Sequence, residues 1–304
     1  MEGYSPALLQ KIVDQGGRYA FAEAALNLSE LAGVRISAQH VLRLTERIGR
    51  EWAQRRDAES EAFKQGRLPR AYTQTAPTAV VMLDGGRALT RAEPSGPGVC
   101  APQWKQPNYA CCLTQDSKPS PVDPQPEPPT KFLDRKRTPK LAQQIQYVRS
   151  EDPARAGPAQ LPSKRKKTKR ARRWLVRTVV ATMGGVAEVG AQVAAEVYRR
   201  GLDRAKQKGC VADGQGSNWT IFEQHLKPLG FIAVLDFLHL LSYLYAAAQA
   251  AQTTAAKRWT LYERWLRWAW SGQRDKLLVG LNAAVERAGP IEESAPEAIG
   301  AGRC

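Results

Sequence analysis

Histidine is scarce in this chain, with only His40, His225 and His239 among 304 residues. Cysteine is little commoner: Cys100, Cys111, Cys112, Cys210 and Cys304 make an odd total with no C-x-x-C pair. Zinc sites draw on closely spaced sets of these two residues, so the pattern argues against zinc. The same cysteines supply no disulfide framework and fit a reducing compartment. Also missing is a long apolar run free of ionisable groups. The most apolar stretch, 229–250, contains Asp236 and His239 and turns from strand-like to helix-like, which marks buried core rather than a membrane span. The start, Met1-Glu2-Gly3-Tyr4, lacks a signal-peptide layout. These absences lead us to expect a cytoplasmic protein with no membrane partner.

What the chain has in excess is positive charge. Its 45 Lys and Arg against 29 Asp and Glu leave a net +16. A balance of that size points to a polyanionic partner, with nucleic acid the commonest. A ribosome-associated or simply soluble basic protein has the same composition. The length allows two domains, or one with appendages.

Residues 5–66 read as helical. Ser5-Pro6 opens a helix with Leu8, Leu9, Ile12 and Val13 on one face, and Gly16-Gly17 is expected to end it. A second helix closes on Gly33. A third starts from Ser37 with Val41, Leu42, Leu44 and Ile48 as its stripe. Three helices with a short turn before the third are compatible with a helix-turn-helix, as with any small bundle. Arg43 and Arg47, with Arg50, Arg55 and Arg56, make the third helix a candidate phosphate-facing surface.

Strands are expected at 78–84, 87–91 and 104–114. Six prolines between Pro119 and Pro129 then mark a linker or surface excursion. Further on, Lys164, Arg165, Lys166, Lys167, Lys169, Arg170, Arg172 and Arg173 place eight charges in ten residues. Such a run is either a self-repelling solvated loop or an arm that contacts phosphates, and one segment can be both. After it come a β-branched strand from Trp174, a helix over 186–208, a strand ending at Asp213, a helix over 219–226, a strand over 231–236 and a helix over 239–257. The alternation predicts a mixed α/β sheet. Trp259, Trp265, Trp268 and Trp270 recur mostly at helical spacing and are expected to pack a core rather than stack bases.

Asp84 and Asp213 each end a predicted strand and precede glycine. Carboxylates at neighbouring strand ends can share a hard cation such as Mg²⁺, and two-metal sites of that kind serve phosphoryl transfer. Asp-Gly is equally a favoured turn dipeptide, so ordinary turn aspartates stay open. Asp236 can cap the following helix, with His239 in its first turn.

Several stretches together resemble bacterial insertion-sequence transposases of the Mutator-like DDE group. They are Leu175 to Met183, Tyr198-Arg199-Arg200-Gly201, Val211-Ala212-Asp213-Gly214 with Trp219, and Leu235-Asp236-Phe237-Leu238-His239 with Tyr243 to Ala248. Upstream, Ser5 to Leu8, Leu31 to Val34, Ser37 to Gly49, Asp84 to Arg87 and Trp104-Lys105 fit the same order. Each motif is weak alone, and their order over about 5–285, apart from the proline-rich and basic insertions, is what carries the likeness.

The resemblance implies an RNase H-like α/β domain over 69–257 with an insertion at 115–173. It also implies a DNA-binding helical region over 1–68 and a helical segment with a tail over 258–304. It assigns Asp84 and Asp213 as the first two metal-binding carboxylates for two Mg²⁺ ions, with Asp236 and His239 supporting them. Transposon-end double-stranded DNA is the implied partner in a bacterial, nucleoid-associated setting, and a homo-oligomer is compatible. The family's third carboxylate, a glutamate in a stretch reading G-S-G-x-x-E, has no counterpart here. Glu263, Glu286, Glu292, Glu293 and Glu297 all lie in other contexts. Relatives also carry sequence before Ser5, so the expectation is a piece cut at both ends that binds DNA and is defective in catalysis. A non-enzymatic DNA-binding regulator is the alternative.

Overall fold

A computed structural model of the chain describes residues 4–72, 75–91, 102–147 and 174–288. It opens with three helices, α1 (Pro6–Arg18), α2 (Phe21–Ala32) and α3 (Ala38–Lys64). Ser5 and Ser37 cap α1 and α3, their hydroxyls accepting from the amides of Leu8 and His40. Gly33 closes α2 in the left-handed conformation, φ 64°. Ile12, Ala24, Leu28, Val41 and Leu44 form the core of this head. Gly16-Gly17 does not end α1, which runs on to Arg18. Gly16 is instead where α1 meets α3: a Cβ there would stand 2.2 Å from Thr45 Oγ1.

The strands are β1 (Thr78–Gly85), β2 (Ala88–Arg91), β3 (Pro102–Lys105), β4 (Asn108–Gln115), β5 (Trp174–Thr182), β6 (Gln207–Ala212) and β7 (Ile232–Leu235). Five of them build a mixed sheet in the order β5-β4-β1-β6-β7. β4 is antiparallel to both β1 and β5, whereas β6 is parallel to both β1 and β7. The expected strand over 104–114 is split in two, and β2 and β3 pair separately as a ribbon.

Helices flank the sheet. α5 (Val186–Arg199) and α6 (Gly216–Ile221), which continues into a π-helical turn at Phe222–Leu226, close one face. Ala79, Val81, Leu83, Ala110, Cys112, Val180, Cys210 and Ala212 from the sheet pack there against Val189, Val193 and Val197. Burial in this core pushes the thiols of Cys112 and Cys210 up to about 12. α5 stops well short of Lys208, because Gly201 turns left-handed (φ 67°), Leu202 is buried in a short turn, and Gln207 already belongs to β6.

α3 lies outside α5. Phe63 meets Tyr198 with ring centroids 5.4 Å apart, and Asp57 Oδ1 accepts from Gln192 Nε2 at 3.1 Å. Just after α3, Arg70 grips Asp203 with two hydrogen bonds of 2.7 and 2.8 Å and stacks over Tyr198. That pairing raises the guanidinium's pKa.

α4 (Arg137–Tyr147), α7 (Phe237–Ala251), α8 (Ala255–Trp270) and α9 (Arg274–Ala288) form a helical cluster. The helix expected over 239–257 breaks at Gln252–Thr254, where Thr254 caps α8. Trp265 and Tyr262 are fully buried and Trp259 nearly so, which makes the tryptophan repeat a core. The proline-rich stretch is laid along α8: Gln125 O accepts from Trp270 Nε1 at 2.9 Å and Glu127 pairs with Arg267 at 2.7 Å. Among the described residues no helix is long and apolar enough to cross a membrane.

Candidate functional site at the carboxylate edge of the sheet

The parallel pairing of β1 with β6 runs from Thr78 opposite Gln207 to Met82 opposite Val211. Carried two residues further, that register sets Asp84 level with Asp213. The pairing of β6 with β7 ends at Ala212 opposite Leu235, and one step on, Asp213 falls level with Asp236. The Asp236 amide still donates to Ala212 O at 2.7 Å, so this last step follows the ladder. Neighbouring strands stand about 4.8 Å apart. Three aspartates therefore line the edge where the parallel strands end, the usual place for ligands on such sheets.

Their surroundings differ. Asp213 is only 5% exposed, and its Oδ1 accepts from the Gln215 amide and from Asn218 Nδ2, both at 3.0 Å. Gly214, at φ 95°, makes that turn back to the carboxylate possible. Asp84 is exposed at the end of β1. Asp236 caps α7, accepting from the Leu238 amide at 2.9 Å, and its Oδ2 lies 3.1 Å from His239 Nδ1 without the alignment of a full hydrogen bond. As a cap, Asp236 has one oxygen committed to the helix and the other facing His239.

A further carboxylate, Glu188 at the start of α5, also stands near this level. Glu188 Oε1 accepts from Thr182 Oγ1 at 2.7 Å, and Thr182 lies opposite Asn108, itself opposite Gly85. Two strand spacings, about 10 Å, separate it from β1. Among the described residues no group of three or more His, Cys, Asp and Glu side chains is placed to hold a metal. Asp84 and Asp213 are carboxylates from adjoining strands, the type of oxygen donor that a hard divalent cation takes.

Two structures project past this edge. The first is the helical head. α5 starts at the aspartate edge and runs away from it, and α3 follows in the same direction, since Arg56 Nη1 donates to Ala181 O at 2.7 Å near the edge while Phe63 meets Tyr198 near the far end. By the same offset that sets Asp57 beside Gln192 and Phe63 beside Tyr198, the residues of α3 before about Glu51 extend beyond the start of α5. Arg43 is exposed there and Arg47 half-buried. Arg55 is paired with Glu59, and Arg56 is turned to the sheet. The second is the β2–β3 ribbon. At the end of β5 lies an open depression of about 560 Å³ lined by Arg56, Pro107, Ala181 to Gly184 and Glu188. The basic run from Lys164 to Arg173 lies outside the described residues.

Sequence reasoning missed Gln215, Asn218 and Glu188. Of these only Asn218 had a local signal, since a polar side chain one turn into a helix is well placed to reach back to the carboxylate before it. The chain matches no model of a known protein family, and no curated protein matches it.

Proposed function

We propose that this chain is a DNA-binding protein of transposase type, built on an RNase H-like sheet with a helix-turn-helix head. The observation that carries the reading is the level alignment of Asp84 and Asp213 on adjoining parallel strands, at the edge past which the helical head with Arg43 projects. The strand order, with an antiparallel half and a parallel half, supports the RNase H-like assignment. The capped turn between α2 and α3 supports the helix-turn-helix.

In this reading α3 presents Arg43 and Arg47 to the phosphates of transposon-end duplex DNA. Asp84 and Asp213 would hold Mg²⁺, which when bound activates an attacking oxygen and clamps the leaving one in phosphoryl transfer. Asn218 and the Gln215 amide fix the Asp213 carboxylate before any ligand arrives, so no rotamer entropy is lost on binding. Asp236 anchors α7 behind it. Because the chain holds no glutamate in the G-S-G-x-x-E context, the 304 residues alone bind DNA and do not complete strand transfer.

The test is a binding titration against salt on duplex DNA. Affinity should fall steeply and linearly on logarithmic axes, and Arg43→Ala should flatten the slope by about one unit. Salt-independent binding, or none, would overturn the reading. Robust Mg²⁺-dependent strand transfer by the purified chain would overturn its catalytic half.

A second reading is a regulator that only binds DNA. It is favoured by the commitment of Asp236 to a helix cap and of Glu188 to Thr182. Asp213→Ala separates the two: it should abolish any metal-dependent nicking and leave duplex affinity unchanged.

A further inference from the structure

The ribbon β2–β3 is a continuation of the β1–β4 pair. In both, partner numbers add to the same sum, as Asp84 opposite Tyr109 and Leu89 opposite Trp104 illustrate. The join is at Gly86, whose amide donates to Pro107 O at 2.9 Å and whose missing side chain leaves room for the Tyr109 ring, 2.4 Å from where a Cβ would stand. One two-stranded ribbon thus runs through the aspartate edge and emerges beyond it.

The emergent part has an unusual surface. Leu89 and Trp104, a cross-strand pair, are 57% and 49% exposed. Arg87 shares their face and Lys105 stands on the opposite one, and both are exposed. The described residues of the ribbon, 85–91 and 102–108, include no carboxylate. A large ring costs free energy in water, and a paired strand shaped only for its own stability would more often carry polar residues here. The position also has a scale: Leu89 lies five residues past Asp84, at most about 17 Å along the ribbon, or roughly five nucleotides at 3.4 Å each.

We propose that this ribbon is a nucleic-acid contact in which Trp104, backed by Leu89, stacks on an unpaired base of the strand whose phosphate sits at the aspartate edge, while Lys105 and Arg87 meet the neighbouring phosphates. The inference rests on the DNA-binding reading above and adds to it a preference for DNA with an unpaired flank. A flat aromatic face accepts any base, so the contact reads strand opening and not sequence. Charge complementarity selects nucleic acid over an acidic or apolar protein segment, because the described ribbon carries exposed cations on both faces and no carboxylate.

The experiment compares a blunt duplex of about 30 base pairs with the same duplex bearing an unpaired flank of about six nucleotides that contains 2-aminopurine. Wild-type protein should bind the flanked duplex several-fold more tightly and quench the 2-aminopurine. Trp104→Ala should lose that preference, about tenfold in flanked-duplex affinity, and lose the quenching, with blunt-duplex binding unchanged. Trp104→Phe should retain most of both. Trp52→Ala removes another exposed tryptophan, 74% exposed on α3, and should change neither. If Trp104→Ala behaves as wild type, or weakens blunt and flanked duplexes equally, the ribbon inference is overturned while the DNA-binding reading stands. If wild-type protein binds neither duplex, the DNA reading fails and the ribbon inference falls with it.

Discussion

The two faces of the central sheet are made from alternating residues of the same strands, yet they differ sharply. On the face toward α5, Ala79, Val81, Leu83, Ala110, Cys112, Cys210 and Ala212 are all at most 3% exposed. On the other, Met82, Tyr109, Val179, Ile232 and Val234 keep 39% to 66% of their surface; the contrast fails at Leu113, which is buried, and at the edge strand β7, where Leu235 opposite Ala212 is 41% exposed. Strand geometry sends successive side chains to opposite sides, so the contrast separates neighbours in sequence. It teaches that, among the described residues, packing is concentrated in one layer.

The sharpest way to break the contrast is to truncate two adjacent residues. Leu83→Ala removes a packed side chain and should cost about 2–5 kcal/mol in denaturant unfolding. Met82→Ala, one residue away on the open face, should cost less than about 1 kcal/mol. Equal effects would mean that the open face is covered in solution.

The edge itself offers the next comparison. Asp213→Ala strands the buried Asn218 amide and should destabilise by about 1–3 kcal/mol, whereas Asp84→Ala, at the exposed end of β1, should cost less than about 1 kcal/mol. Chemical denaturation of the two variants side by side decides this, and similar losses would show that the two aspartates are held alike.

Arg70→Ala asks whether the packed layer extends outward to α3. It removes the two hydrogen bonds to Asp203 and the stack on Tyr198, with side chains 27% and 16% exposed. Partial solvent screening brings the expected loss to about 1–2 kcal/mol. A change of melting temperature near zero would confine the layer to α5 and α6.

The smallest effect is a pH dependence. His225 is pressed against α5 where Gly190 leaves room, and burial, with nearby Lys64, lowers its pKa below 6.5. The folded state disfavours the charged ring, so this contribution is fully present above pH 6.5 and is lost as pH falls through the lower folded value. Melting temperature should therefore drop slightly between neutral and mildly acid pH. His225→Gln should remove that part of the slope.

Much of the local structure was legible in the residues. Ser5 and Ser37 as caps, Gly33 as a stop, and the tryptophan repeat as core all follow from short-range rules, and each is found. Errors arose where tertiary contacts decide. Gly16 reads as a helix stop and is a helix–helix contact. An alanine-rich run suggested one helix over 186–208, and the buried turn at Leu202 divides it from β6. α4 went unseen because its apolar residues make sense only against α7. At the edge, the identities of Asp84, Asp213 and Asp236 were visible, but their common level depends on register between strands more than a hundred residues apart in sequence for β1 and β6. No local pattern encodes that.

The length of α3 has a mechanical consequence. Tied down at Arg56, Asp57 and Phe63, it is a cantilever whose free arm, Ala38 to Arg55, spans about 27 Å at 1.5 Å per residue. Anything gripped by the head is thereby metered from the aspartates at a set distance and a set angle. Adding a single residue to that arm would swing the head by about 100° and advance it by only about 1.5 Å. The helix is therefore more sensitive as a protractor than as a ruler.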